Sequence, residues 1–77
     1  MIPIPSCTVV TSPVDGRVRR LAEDGTAVAA GDVVAHVESG GRTWPLTAPR
    51  AGLVSGALAG LAQPVGAGEG VLWLARA

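Results

Sequence analysis

A pair of internal repeats fills most of the 77-residue chain and limits the folds open to it. The segment 11–18 contains the pattern Pro-x-x-Gly-x-Val, and the segment 47–54 repeats it 36 residues later. A second pattern, Val-x-Ala-Gly followed by an acidic residue, occupies 28–32 and recurs 37 residues later at 65–69. The second copy therefore carries one inserted residue. Because a solenoid needs about three repeats to close its core, we expect the two copies to pack against each other.

Short apolar runs between turn residues predict an all-β fold. The runs cover 17–21, 33–37, 53–58 and 71–74. Runs of this length bounded by Gly and Pro are typical of a small sandwich or barrel. Pro13 and Pro49 preset a turn, and each is followed three residues later by a glycine, as a type I turn favours. We predict one domain, a flattened barrel whose two four-stranded halves, about 8–38 and 43–76, are related by a pseudo-twofold axis.

The segment 51–62 is the one stretch whose composition favours a helix, because it is rich in Ala and Leu. Glycines recur at every fourth position from 52 to 60, and each costs about 1 kcal/mol in a helix interior. Gly52 also matches Gly16 of the first copy. We therefore predict a strand followed by a loop. The apolar run is too short to span a membrane, which takes about 18 residues or more.

The residues 39–42, Ser-Gly-Gly-Arg, lie between the two copies. A Gly-Gly pair tolerates the positive φ angles of a tight hairpin, so we predict a hairpin here. On the arm that follows, Trp44 shares a face with Leu46, and we expect Leu46 in the core and Trp44 at the end of the core. Pro45 cannot donate a ladder hydrogen bond, which predicts an edge strand or a bulge.

The core is predicted to be aliphatic, because two tryptophans are the only aromatic residues. A chain of this length buries only about 60% of its unfolded surface, so its stability margin should be thin. The expected core residues are Val18, Leu21, Val28, Val34, Val37, Leu46, Val54, Val65, Leu72 and Leu74.

Composition and charge argue against several classes of function. A net charge of zero gives no electrostatic footprint for nucleic acid or an anionic membrane. Arg17, Arg19 and Arg20 form the only basic cluster, which we interpret as the solvated face of a strand. His36 and Cys7 are the only residues of their types and fall short of a four-ligand zinc site. A lone cysteine and an N-terminus without a secretory signal pattern favour the cytoplasm.

A catalytic serine–histidine pair would have to use His36 with Ser12, Ser39 or Ser55. None of these serines lies in a nucleophile elbow or beside an oxyanion motif. His36 also occupies the repeat position of Trp73, so a packing role is the preferred interpretation, and we expect no enzymatic activity.

The motifs together resemble the biotinyl/lipoyl attachment domain family, over about residues 8–74. Members of this family hold biotin or lipoate on a lysine at the tip of a β-hairpin, and the resemblance implies a barrel-sandwich hybrid fold. Aligning the family hairpin on Glu38 and on the pair 48–49 places the lysine at Gly41. The chain contains no lysine at all. Arg42 is adjacent, but its guanidinium stays protonated and is not a usable nucleophile, so we expect no bound cofactor.

Three functions follow from a carrier frame without its lysine. The preferred one is a docking or scaffold module for a carboxylase-, dehydrogenase- or ligase-type partner, which would contact Glu38, Ser39, Arg42 and Trp44. The second is a carrier subunit of an enzyme complex that uses another attachment residue, Ser39 or Cys7. The third is a purely structural barrel segment, as in the membrane-fusion adaptors of export systems. The use of arginine without lysine, with abundant Ala, Gly and Val, suggests a GC-rich bacterial genome.

Overall fold

The computed structural model describes residues 7–76, and this part of the chain forms eight β-strands and no helix. The strands are β1 (Cys7–Thr11), β2 (Gly16–Leu21), β3 (Ala27–Val28), β4 (Val33–Ser39), β5 (Arg42–Thr47), β6 (Gly52–Ala57), β7 (Pro64–Val65) and β8 (Gly70–Ala75). Within the same residues, no helix is long and apolar enough to cross a membrane. The predicted all-β fold is confirmed.

The strands form two antiparallel sheets of four strands each. One, which we call the terminal sheet, has the order β1-β8-β6-β3, and the other, the hairpin sheet, has the order β5-β4-β2-β7. Replacing each strand of the terminal sheet by its repeat counterpart reproduces the order of the hairpin sheet. The pairing registers agree as well, because Val28 pairs with Gly52 and the counterpart pair is Val65 with Gly16. The predicted pseudo-twofold symmetry is confirmed, with each sheet taking two strands from each copy.

The inserted residue of the second copy lies directly after β6. In the first copy the amide of Ala22 donates to strand β4, whereas in the second copy the amides of Leu58 and Ala59 both donate to the Val71 carbonyl, at 2.8 and 3.3 Å. Ala59 is buried, and Leu58 is 49% exposed. Leu58 is therefore the extra residue, turned out of the core. The segment 51–62 is a strand followed by turns, as predicted.

The acidic residue of each Val-x-Ala-Gly-acid pattern closes a turn. The Asp32 carboxylate accepts a hydrogen bond from the Ala29 amide at 2.9 Å, and the Glu69 carboxylate accepts one from the Gly66 amide at 2.7 Å. A carboxylate that accepts a hydrogen bond from the backbone amide three residues earlier gives a partner to a donor that has none within the turn. The shared pattern thus encodes the same turn twice.

The glycine of each Pro-x-x-Gly pattern is required by a close backbone approach. Gly16 and Gly52 begin the strands β2 and β6. A Cβ on Gly16 would collide with the carbonyl of Glu38, and a Cβ on Gly52 would lie 2.5 Å from the carbonyl oxygen of Ala75. The type I turn preference therefore explains only in part why these two positions are glycine.

The core lies between the two sheets and contains eight of the ten residues predicted for it. The other two, Leu21 and Val28, pack against its edge and are partly buried. The prediction missed the buried residues Val10, Ala35, Ala48, Ala59 and Val71. Three of these are alanines, whose small side chains give a weak burial signal. Val71 and Leu72 are adjacent and both buried, which strict alternation in a strand does not predict.

Ala62 holds a backbone conformation that favours glycine. Its φ is 65°, and among the described residues it is the only non-glycine with a positive φ. Its repeat counterpart is Gly25, with a φ of 85°. The two amides donate equivalent hydrogen bonds of 2.7 Å, Ala62 to the Val18 carbonyl and Gly25 to the Val54 carbonyl. The turn is thus the same in both copies, and only one copy has the residue type that suits it.

Ala62→Gly is expected to raise the free energy of unfolding by about 0.5–1 kcal/mol. A left-handed conformation costs an L-residue about 1–2 kcal/mol, and the added chain entropy of glycine in the unfolded state offsets part of the gain. Urea denaturation measures the difference. Gly25→Ala is the matched control in the other copy and should lower stability by a similar amount. Destabilisation by Ala62→Gly would contradict the assignment of strain to this turn.

Leu72→Ala is expected to destabilise the domain by about 2–5 kcal/mol, because Leu72 is fully buried and its truncation leaves a cavity. Leu58→Ala removes the same atoms from an exposed position and should change stability by less than about 1 kcal/mol. Thermal melting followed by circular dichroism compares the two variants. Equal losses would show that the core has been assigned to the wrong residues.

Candidate functional site

The candidate site is the tip of the hairpin that joins β4 and β5. Ser39 pairs with Arg42 across a two-residue loop, in which Gly40 has a φ of 57° and Gly41 a φ of 76°. Positive φ at both central residues is the requirement of a type I′ turn, whose twist matches that of the flanking strands. The predicted hairpin is confirmed, and both glycines are exposed.

The tip is open on all sides. A Cβ built on Gly40 or on Gly41 meets no atom within 4 Å in the described part of the chain. The loop therefore has steric room for a side chain at position 41, and its conformation alone favours glycine. As it stands, position 41 presents only backbone, so it offers no nucleophile and no amine.

The four predicted contact residues are divided between two faces of the hairpin. Cross-strand partners share a face, so Ser39 and Arg42 lie on one side, and Glu38 with Thr43 lies on the other. The Glu38 carboxylate accepts hydrogen bonds from the Arg19 guanidinium on β2, at 2.6 and 3.3 Å. Glu38 is thus tied to the outer face of the hairpin sheet and does not join the other three residues.

Arg42 and Trp44 form a pair on the face that they share. The Arg42 guanidinium lies 5.7 Å from the centroid of the Trp44 ring, within the range of a cation–π interaction. Trp44 keeps 37% of its surface exposed, whereas Leu46, two residues further along, is buried as expected. Our expectation that Trp44 belongs to the end of the core is therefore corrected. On this strand the core therefore ends at Leu46, and Trp44 is a surface residue.

The predicted edge strand is confirmed. The strand β5 is the outermost strand of the hairpin sheet. No further strand of the described chain pairs with its free edge, so the missing amide hydrogen of Pro45 costs no hydrogen bond there. Its cross-strand partner is His36, which is half-buried on the outer face of the sheet.

The residues of the possible serine–histidine pair are not assembled, and Ser55 and His36 lie in different sheets. Ser12 is buried, and its hydroxyl donates to the Val14 carbonyl at 2.6 Å. Ser39 and His36 are three positions apart on one strand, so their side chains point to opposite faces. Within residues 7–76 no group of three or more His, Cys, Asp or Glu side chains could hold a metal ion.

The two alternative attachment residues lie in different sheets. Ser39 ends β4 at the hairpin tip, and Cys7 begins β1 in the terminal sheet, where it pairs with Ala75. The repeat counterpart of Cys7 is Thr43, so the pseudo-twofold axis exchanges the hairpin with the region where β1 begins and β8 ends. The chain termini themselves lie outside the described residues.

The pair of Arg19 and Glu38 is a feature that the sequence did not predict. A register shift between Val18 and Arg20 makes Arg19 the extra residue of a bulge in β2. Bulges redirect side chains and are not visible in the alternation of residue types. The arginine cluster of β2 was the only available signal, and it did not indicate the partner.

No protein-family model and no curated protein matches the chain. Solved structures do match it. One, a single-chain, multi-domain long-chain acyl-CoA carboxylase, superposes with a TM-score of 0.87 at 25% identity, over 100% of this chain and 8% of that one. The urea carboxylase of Kluyveromyces lactis gives a TM-score of 0.84 at 25% identity, over 96% of this chain and 7% of the other.

A third similar structure is the product-bound ectoine utilization protein EutE (DoeB) of Ruegeria pomeroyi, with a TM-score of 0.72 at 27% identity. It matches 90% of this chain and 22% of that protein. The chain thus spans less than a quarter of each of these proteins. Over nearly all of its length, it is similar to one region of two large carboxylases, which agrees with the carrier-domain resemblance of its sequence.

Proposed function

We propose that the chain is a biotinyl/lipoyl carrier-like domain without the modifiable lysine, which serves as a non-catalytic docking or scaffold module for a biotin- or lipoyl-dependent enzyme. One observation carries the proposal. The hairpin tip keeps an open, exposed type I′ geometry, while position 41 has no side chain.

In this proposal the domain lacks the reactive amine of a carrier but keeps an exposed hairpin tip. A carrier needs an exposed loop on a rigid support, and the tip is exposed at the end of two strands paired through six residue positions. Attachment also needs an amine, and the chain has no lysine. An enzyme that approaches the tip of such a domain still meets Ser39, Arg42 and Trp44, but it finds no group to modify at position 41.

The pair of Arg42 and Trp44 is the strongest candidate for a contact. Arginine and tryptophan are among the residues most enriched at binding hot spots. The guanidinium already lies over the ring, and the ring is 37% exposed, so a partner can cover both groups at a small cost in side-chain ordering. Glu38 lies on the opposite face of the hairpin with its carboxylate paired to Arg19, so we propose that it contributes less than Arg42 and Trp44 to this contact.

The similar structures favour a carboxylase among the possible partners, because two of them are carboxylases. The second candidate function is a barrel segment with a purely structural role, since the similar structures also include a protein that is not named as a carboxylase. The two functions differ at the tip, since a structural segment requires no partner there.

Gly41→Lys is expected to fold and to become a substrate of a biotin or lipoate protein ligase in vitro, alone or with Gly40→Met. A left-handed lysine costs about 1–2 kcal/mol, and no neighbour within 4 Å opposes the side chain. Gly68→Lys is the matched control, because Gly68 has a φ of 85° and equal space in another turn. Mass spectrometry should find the modification on Gly41→Lys only. If folded Gly41→Lys variants stay unmodified with both ligases, the tip is not that of a carrier.

Arg42→Ala is expected to abolish retention of a biotin- or lipoyl-dependent enzyme in a pull-down from the native host, as measured by quantitative proteomics. Loss of a hot-spot arginine weakens binding by about tenfold or more. Arg50→Ala removes an exposed arginine from a turn outside the hairpin and should keep the partner. Retention of the same enzyme by variants throughout 38–44, or of no such enzyme by the wild type, would exclude docking at the tip.

A further inference from the structure

The outer faces of the two sheets are formed by counterpart strands in the same order, but they carry different side chains. The pseudo-twofold axis relates the two faces strand by strand, although the register shift falls between Val18 and Arg20 in β2 and between Val54 and Ala57 in β6. On the outer face of the hairpin sheet these positions are basic, and on the terminal sheet they are apolar or small. The counterparts of Arg17, Arg19, Arg20 and His36 are Leu53, Ser55, Gly56 and Trp73. The fold therefore does not require the positive charge.

The positive charge of this basic face is only partly compensated. Arg19 is paired with Glu38 at 2.6 Å. Arg17 donates to the Ala62 carbonyl at 3.1 Å, which leaves its charge unneutralised. Arg20 is exposed and has no hydrogen-bond partner among residues 7–76. Three guanidinium groups against one carboxylate leave an excess of positive charge on one face of a chain whose net charge is zero.

The basic face has two adjoining hollows, one suited to an anionic group and one suited to an aliphatic group. A depression of about 290 Å³ is lined by Arg19, Arg20, His36 and Thr43. A second hollow of about 190 Å³ shares Arg20 and His36 with the first and continues over Leu21 and Val33. Val33 is 48% exposed there, so its side chain is available to an aliphatic group of a ligand.

We propose that the basic face binds an acidic peptide segment of a partner protein, with a carboxylate at Arg20 and His36 and a neighbouring aliphatic side chain in the hollow at Val33. Arg20 can hold a carboxylate through two parallel hydrogen bonds. A peptide fits better than a nucleic acid, because on this face only Arg17 and Arg20 lack a carboxylate partner among residues 7–76, which is too few for extended contacts with phosphates, and an aliphatic hollow adjoins Arg20. The proposal goes beyond the function of the tip and does not depend on it.

The test uses a fluorescein-labelled peptide of repeated Asp-Leu-Glu units and fluorescence anisotropy at low salt. A peptide of repeated Asn-Leu-Gln units is the neutral control for charge. We expect the acidic peptide alone to bind the wild-type protein. Arg20→Gln should weaken this binding by about tenfold, through loss of a charge-assisted pair.

Two further variants separate a specific site from general attraction. Glu38→Gln frees Arg19 and removes a competing carboxylate, so it should strengthen binding by about threefold. Arg50→Gln removes the same charge from a turn outside the face and should change binding by less than about twofold. Thermal melting confirms that each variant is folded.

Three results would overturn the proposal. The first is equal or absent binding of the acidic and neutral peptides, and the second is equal weakening by Arg20→Gln and Arg50→Gln. The third is tighter binding of a duplex DNA than of the acidic peptide, which would assign the face to nucleic acid. None of these results bears on the ligase and pull-down tests of the tip, so the two proposals fail separately.

Discussion

The close backbone approach at Gly16 and Gly52 holds the two copies of the repeat together. Gly16 lies between β4 of its own copy and β7 of the other, and it pairs with Val65 while its missing side chain leaves room for the Glu38 carbonyl. Gly52 repeats this arrangement in the terminal sheet. Because each glycine joins strands of both copies, neither copy can complete a sheet alone. The exchange of strands therefore encloses one aliphatic core and fixes the pseudo-twofold symmetry.

The same architecture separates the residue at position 41 from the parts of the chain that stabilise the fold. The hairpin lies where the chain passes from the first copy to the second, and Gly40 and Gly41 make no side-chain contribution to the core. The buried core and the turns shared by both copies stabilise the fold, and the loop at 40–41 only connects β4 to β5 with a matching twist. The structural cost of a side chain at position 41 is therefore limited to the left-handed conformation of that residue, about 1–2 kcal/mol. Function at this position can change while both Pro-x-x-Gly frames stay intact.

Features set by local pattern were predictable from the sequence, and features set by register shifts were not. The repeat frame, the Gly-Gly hairpin and the edge position of Pro45 follow from residue preferences at single turns. The exposure of Trp44 and the pair of Arg19 with Glu38 depend instead on where the core ends and on a bulge in β2. The consecutive buried residues Val71 and Leu72 lie opposite another irregular stretch, between Val54 and Ala57 of β6. A side-chain period of two is broken at such points, so alternation alone misassigns the face.

Whether the domain is an unmodified carrier frame is measured by the intact mass of the protein purified from its native host, followed by peptide mapping of any heavier species. We expect the protein to carry neither biotin nor lipoate, because its chain has no lysine. A species heavier by one biotinyl or lipoyl group would contradict the account. An adduct mapped to Ser39 or Cys7 would also contradict it, because it would show that the domain is a working carrier with a different attachment residue.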